Sequence, residues 1–184
     1  MQKSVLIAIA NGTEEVEAVT PIDLLRRAGA DVLVAGETNI ITCSRKVTIV
    51  ADVLLSSVDD TSVFDAIILP GGKVGTEFLK NSVKLVNILK AHREKKALIA
   101  AICAAPTILL ANNLLNKSHK ITAHPSVEAE LAEYEYLHQP VVFDDNILTS
   151  QGAGTTMDFS FKLIELLFGE STAARVANDI VYSI

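Results

Sequence analysis

Five consecutive residues, Leu98-Ile99-Ala100-Ala101-Ile102, carry no polar side chain and constrain this chain's architecture more than any other stretch. A run so short and so uniformly apolar predicts a strand buried on both faces, as in the middle of a parallel sheet. The residues after Cys103, Ala104-Ala105-Pro106 through Leu110, read as the start of a helix. Cys103 therefore falls at the carboxyl end of a parallel strand, where open α/β sheets hold their ligands. Ala101-Ile102-Cys103-Ala104-Ala105 also has the small-x-nucleophile-x-small pattern of a nucleophile elbow. Small neighbours let strand and helix approach closely and push the central side chain outward. The positive end of the helix predicts a Cys103 pKa below that of free cysteine. Free cysteines often pack as inert small hydrophobes; the strand–Cys–helix setting favours a reactive thiol here.

The same alternation of strand and helix runs along the chain and predicts a doubly wound α/β sheet. Ser4–Ile9 is the first strand. Glu14 to about Ala28 is a helix with acids in its first turn, Arg26 and Arg27 in its last and Gly29 beyond it, with Thr13 or Asn11 as N-cap. Asp31–Ala35 is a second strand. Ile40–Ser44 and Val47–Asp52, rich in β-branched residues and parted by Arg45-Lys46, read as a hairpin excursion. Ala66–Leu69 is a further central strand ending in Pro70-Gly71-Gly72, and about Ser82–Lys95 is helical. Ile121–Ala123, Val141–Phe143 and Ile147–Thr149 are later strands; Met157 to about Phe168 and Ser171 to about Ile180 are the last helices. No repeat or linker interrupts the 184 residues, so one domain over 1–184 is expected.

Charge and motif content exclude several function classes. A net charge of −6 without a basic block gives nucleic-acid binding no electrostatic support. The run Val5–Ala10 is too short for a membrane span or a secretory segment, so a cytoplasmic protein is expected. Cys43 and Cys103 make no disulfide framework, and no Cys/His spacing suits a metal. Neither G-x-G-x-x-G nor a P-loop occurs. No cofactor or metal is expected.

Groups that could serve the thiol are few. Gly71-Gly72 after a central strand could present backbone N–H groups to an oxyanion. His124 precedes Pro125, which holds it extended at a strand end, where its imidazole could exchange protons. Glu17 lies deeper in its helix than Glu14 and Glu15, near Pro21 and Ile22; a carboxyl buried there would have a raised pKa and could stay protonated beside a thiolate. Cys43 reads as a packing or interface residue. His92, His119 and His138, in polar or helical stretches, read as solvated.

Taken in order, certain stretches resemble the ThiJ/PfpI superfamily, in particular its DJ-one (parkinsonism-associated) branch, over essentially the whole chain. They are Gly12-Thr13-Glu14-Glu15-Val16-Glu17, Pro21-Ile22-Asp23, Arg26-Arg27-Ala28-Gly29, Cys43-Ser44-Arg45, Leu69-Pro70-Gly71-Gly72, Ala100 through Thr107, His124-Pro125 and Leu148 through Gly152. The resemblance implies a flavodoxin-like, mostly parallel sheet sandwiched by helices, and a homodimer. It implies Cys103 as the oxidation-sensitive nucleophile, Glu17 protonated against its sulfur, Gly72 and Ala104 as backbone N–H donors, and His124 as a nearby acid or base. It further implies that Arg27 and Arg45 line a small anion site near the dimer interface. Members of the branch are described as glyoxalase- or deglycase-type enzymes acting on methylglyoxal, glyoxal and their early adducts, and also as oxidative-stress sensors and redox-regulated chaperones. Protease-like and heat-shock-chaperone branches carry His directly after the nucleophile; Ala104 stands there in this chain and points away from a peptidase. Gln151 and Ala105 stand where animal members carry arginine and glycine, and Val50 replaces a further interface cysteine.

Two functions follow. In one, a glyoxalase III-type lyase or deglycase, the Cys103 thiolate adds to an α-oxoaldehyde and Glu17 and His124 move protons. In the other, Cys103 is oxidised to a sulfinic acid held by Glu17, and the altered dimer acts as sensor or chaperone. A glutamine amidotransferase would need a distal His-x-Glu pair, and Pro125-Ser126 follow His124 instead.

Overall fold

The computed structural model describes residues 2–183. Its strands are β1 (Ser4–Ile9), β2 (Asp31–Gly36), β3 (Ile40–Thr42), β4 (Thr48–Val50), β5 (Val53–Leu54), β6 (Ala66–Leu69), β7 (Leu98–Ile102), β8 (Lys120–Ile121), β9 (Glu135–Tyr136), β10 (Val141–Asp144) and β11 (Ile147–Ser150). Its helices are α1 (Glu15–Ala28), α2 (Lys73–Asn81), α3 (Val83–Glu94), α4 (Pro106–Ala111), α5 (Thr156–Phe168) and α6 (Glu170–Asp179). Seven strands form one sheet in the order β10-β11-β7-β6-β1-β2-β5, parallel except for the β10–β11 pair. This is the expected α/β architecture of a mostly parallel sheet between helices.

The apolar runs of β1, β6 and β7 occupy the middle because neither face of such a strand can meet water. Alternate residues point to opposite sides. Val5, Ile7 and Ile9 join Leu24 and Leu25 of α1, Phe159 and Leu163 of α5 and Val176 of α6. Leu6 and Ala8 join Leu79 of α2, Leu85 and Ile88 of α3 and Ile108 of α4. Truncating any one of these large side chains to alanine should cost about 2–5 kcal/mol. From β1 the chain winds one way to β2 and β5, then returns to place β6 and β7 on the other side. The order therefore reverses between β1 and β6, and a crevice opens above their carboxyl ends.

Local departures from the expected elements have identifiable causes. Glu14, in an extended conformation, is the N-cap of α1, because the Thr13 hydroxyl accepts from the Ala10 amide instead. Helix α2 was not expected. The hairpin forms as β3 and β4, a separate two-stranded sheet. Ile121–Ala123 contributes only Ile121 to a strand, which pairs with β9 outside the main sheet. His92 and His119 are buried rather than solvated, because α3 turns His92 against Phe64 and the loop at His119 folds onto Arg93. His138 is exposed. Among the described residues no helix is long and apolar enough to cross a membrane.

Candidate active site

Cys103 adopts a φ of 65°, a left-handed conformation that costs a non-glycine residue roughly 1–2 kcal/mol. The surroundings hold it there: its N–H donates to the Ser150 carbonyl at 2.9 Å, and its carbonyl accepts from the His124 N–H at 2.8 Å. The elbow read from the sequence is present. Its sulfur enters the crevice above β1 and β6, an open cleft of about 630 Å³.

Glu17 reaches the same spot from the first turns of α1 and is 1% exposed. The Gly71 N–H donates to its Oε2 at 2.8 Å. Gly71 has no room for a side chain, since an added Cβ would lie 2.6 Å from Cβ of Cys103 and 2.7 Å from that oxygen. Burial pushes the Glu17 carboxyl up to about 7, against the opposing pull of the Gly71 N–H and the Cys103 hydrogen bond. Burial likewise pushes the Cys103 thiol up to about 12, with the Glu17 charge as the next cause; the Gly72 and Ala104 N–H groups act the other way. The sequence-based expectation of a lowered thiol pKa is thus overturned. Helix α4 has only six residues, and a carboxylate touches the sulfur.

The two acids behave as one unit. Ionising both would set two negative charges a hydrogen bond apart, so near neutrality the pair keeps at least one proton. With that proton on Glu17, the sulfur anion faces three donors: the carboxyl O–H and the amides of Gly72 and Ala104. Those amides would equally suit an oxyanion formed on a carbon bound to the sulfur.

His124 caps the 3-10 turn Pro125–Leu131. Its Nδ1 lies 3.2 Å from the Ser126 N–H and 2.8 Å from Ser126 Oγ. Because a backbone N–H can only donate, Nδ1 is the acceptor and the neutral ring carries its proton on Nε2. The ring edge faces Gly152, close to both Sγ and Glu17. The sequence reading missed Ser126, although a serine two residues after a histidine and past a proline was its visible trace.

The rim of the cleft depends on Glu15. It is 7% exposed and accepts from the Arg45 N–H at 2.9 Å, while Ser44 Oγ lies 3.0 Å away. Burial acts to raise its pKa, but the hydrogen bonds from backbone and Ser44 outweigh it and hold the carboxyl below the usual range. Arg45 thus fixes the hairpin through its backbone, and its side chain lines the cleft. Arg27 does not join it. It lies ten residues, about 15 Å of helix, beyond Glu17, exposed and paired with Asp23 at 2.9 Å. Cys43 lines the cleft but is 2% exposed, its thiol pushed up to about 11 by burial and by Glu15 and Glu14.

A family model described as the DJ-1/PfpI family matches residues 3–166. A curated relative, Protein DJ-1 homolog B of Arabidopsis thaliana, is 39% identical over 94% of this chain, which spans 40% of that protein's length. Glutathione-independent glyoxalase DJR-1.2 of Caenorhabditis elegans is 38% identical over 91% of this chain and 90% of its own. The crystal structure of Drosophila melanogaster DJ-1beta superposes with a TM-score of 0.96 at 37% identity, covering 100% of both chains.

Proposed function

The chain belongs to the DJ-1/PfpI family, and on that premise we propose that it is a cysteine-dependent glyoxalase or deglycase acting without cofactor. Its substrates would be methylglyoxal, glyoxal and their early protein adducts, in defence against carbonyl and oxidative stress. The observation that carries this reading is the buried Glu17–Cys103 pair with the Gly72 and Ala104 amides beside the sulfur. The relative named as a glyoxalase supports the substrate class.

Each step can use groups already in the cleft. The thiolate adds to the aldehyde carbon; a C–S bond forms and the carbonyl π pair moves to oxygen, facing the two amides. Glu17 supplies a proton to that oxygen and, now a carboxylate, takes the hydrogen from the former aldehyde carbon as a proton. The neighbouring ketone oxygen accepts a hydrogen bond from Nε2 of His124, and its carbon receives the proton by way of an enediol. The aldehyde carbon is thereby oxidised to a thioester as the ketone carbon is reduced to an alcohol, so no outside electron acceptor is needed. Water then cleaves the thioester, giving lactate and restoring the thiol.

The same three donors would also hold a sulfinate on Cys103, which supports the sensor reading as the alternative. A homodimer is supported by Val16 and Val19, exposed one turn apart on α1, and by Val47 and Val50 on the adjacent hairpin. The need for a reduced thiol supports a cytoplasmic setting. The deciding experiment is methylglyoxal-to-lactate turnover by wild type and Cys103→Ala. Turnover lost only in the variant is expected; no turnover by the wild type removes the enzyme, and full turnover by the variant removes this mechanism.

A further inference from the structure

Asn11-Gly12, just past β1, lines the Cys103 cleft, and the fold dictates both members of the pair. Gly12 has a φ of 83°, and an added Cβ would lie 2.6 Å from Cβ of Val74 and 3.2 Å from the Gly75 nitrogen. Asn11 has to accept and donate at once. Its Oδ1 accepts from the Thr42 N–H at 2.9 Å, and its Nδ2 donates to Oε1 of Glu37 at 2.8 Å. A carboxylate of the same shape offers no donor. The Gly12 N–H meanwhile donates to the Thr42 carbonyl at 2.9 Å, so the pair grips Thr42 by both of its backbone groups. Cys43, Ser44 and Arg45 follow and continue the hairpin wall of the cleft.

Glu37 depends on this contact. Among the described residues it has no ion-pair partner, its Oε2 is buried without a hydrogen bond, and Asn11 is the one side-chain donor to its Oε1. Asparagine followed by glycine is also chemically labile, because a residue without a side chain lets its nitrogen reach the preceding Cγ. The Gly12 nitrogen bonds to Cγ of Asn11, its proton joins the departing amide nitrogen, and ammonia leaves a succinimide behind. Water opens that ring to aspartate or to isoaspartate. In the folded chain the Gly12 N–H and both ends of the amide are engaged, so ring closure requires the hairpin to lift. Afterwards the aspartate product sets a carboxylate against that of Glu37, where a donor had been. The isoaspartate product adds a carbon to the main chain and takes the Gly12 N–H out of register with Thr42.

We propose that Asn11-Gly12 is a modification site: a deamidation site that the seated hairpin protects, and whose reaction, once the hairpin has lifted, keeps it from closing over the cleft again. The change is one-way, since ammonia is lost, so each modified molecule records a past opening of its cleft wall. It needs no co-reactant but water and is independent of the chemistry proposed for Cys103.

Cys103→Ala leaves Cys43 as the sole thiol, and at 2% exposure it reports the state of the wall. In that background Asn11→Asp should speed labelling of Cys43 by methyl methanethiosulfonate about tenfold, and adding Glu37→Gln should return it to the starting rate. Should Asn11→Asp fail to fold, the same comparison is made on aged protein, whose deamidated and intact fractions separate by anion exchange. The deamidated fraction should label about tenfold faster. Peptide mapping by mass spectrometry follows the modification itself. At mildly alkaline pH, Asn11 should deamidate at least about tenfold more slowly in the folded chain than in urea, with Glu15→Ala in between. Deamidation as fast in the folded chain as in urea overturns the protection. Unchanged Cys43 labelling in Asn11→Asp or in the deamidated fraction, or faster labelling that Glu37→Gln does not reverse, overturns the latch.

Discussion

Glu17 and Cys103 place two acids where solvent can stabilise neither charge; after burial, Glu17 is the chief influence on the thiol, while the Gly71 N–H and then Cys103 act on the carboxyl. Replacing Glu17 with glutamine removes the charge that helps hold the thiol near 12 and keeps a donor for the sulfur. The pH at which iodoacetamide alkylates Cys103 should therefore move down in Glu17→Gln, while methylglyoxal turnover should fall about 100-fold or more because no group remains to take the carbon-bound proton. Unchanged alkylation in that variant would refute the coupling. At this scale the sequence was informative wherever local context and chemistry coincide, as for Cys103 at its strand end and for Glu17 beyond two exposed-looking acids. It misled where burial comes from distant residues. Glu15 is drawn inward by a loop 30 residues away, and His92 and His119 look polar among their neighbours yet lie under other elements. Arg27 was placed by resemblance at an anion site near the dimer interface; in this chain it is exposed and paired with Asp23.

Among the elements, α2 shows why a short helix can be hidden. Gly71, Gly72 and Gly75 crowd its first turn and read as a loop, but packing requires them. A Cβ at Gly75 would lie 2.7 Å from the Thr13 backbone nitrogen and 2.9 Å from its Cα. Alanine normally favours a helix interior by about 1 kcal/mol over glycine. Gly75→Ala should do the opposite and destabilise the fold, read as a lower midpoint in urea, because rigid backbone blocks the methyl group. The central strands β1, β6 and β7 were legible in length and position because an uninterrupted apolar run has few alternatives, whereas the two-residue strands β5 and β9 carry no such run and were not expected. The hairpin rim was legible as a hairpin, but its anchor was not. Glu15→Ala should cost about 1–3 kcal/mol by leaving the Arg45 amide and its neighbours without an acceptor, and hydrogen exchange should quicken at Arg45.

Across the whole molecule, two buried groups pull stability in opposite directions with pH. Glu17 binds its proton more tightly folded (about 7) than a free glutamate (4.5), so its contribution is full below about 4.5 and is lost as pH rises towards 7. His92, pushed down to about 4 by burial against an ordinary 6.5, contributes fully above 6.5 and loses that as pH falls towards 4. Each amounts to about 3 kcal/mol. Because the two windows overlap and the terms oppose, the wild-type melting temperature should change little between about pH 4.5 and 6.5; Glu17→Gln should unmask a rise with pH across 4 to 6.5 from His92, and His92→Phe a fall with pH across 4.5 to 7 from Glu17. A flat profile in either variant would contradict the assignment of the group it retains. The packing of α1 along α5 has a different consequence. During translation the helix bearing Glu17 leaves the ribosome before β7 does, but the segment it leans on, and the Ser150 carbonyl that clamps the cysteine backbone, emerge only after β7 through β10 have been made. A copy translated only as far as β7 thus carries an unarmed sulfur, and the nucleophile acquires its acid and its strained posture only once the chain has passed Ser150 and α5.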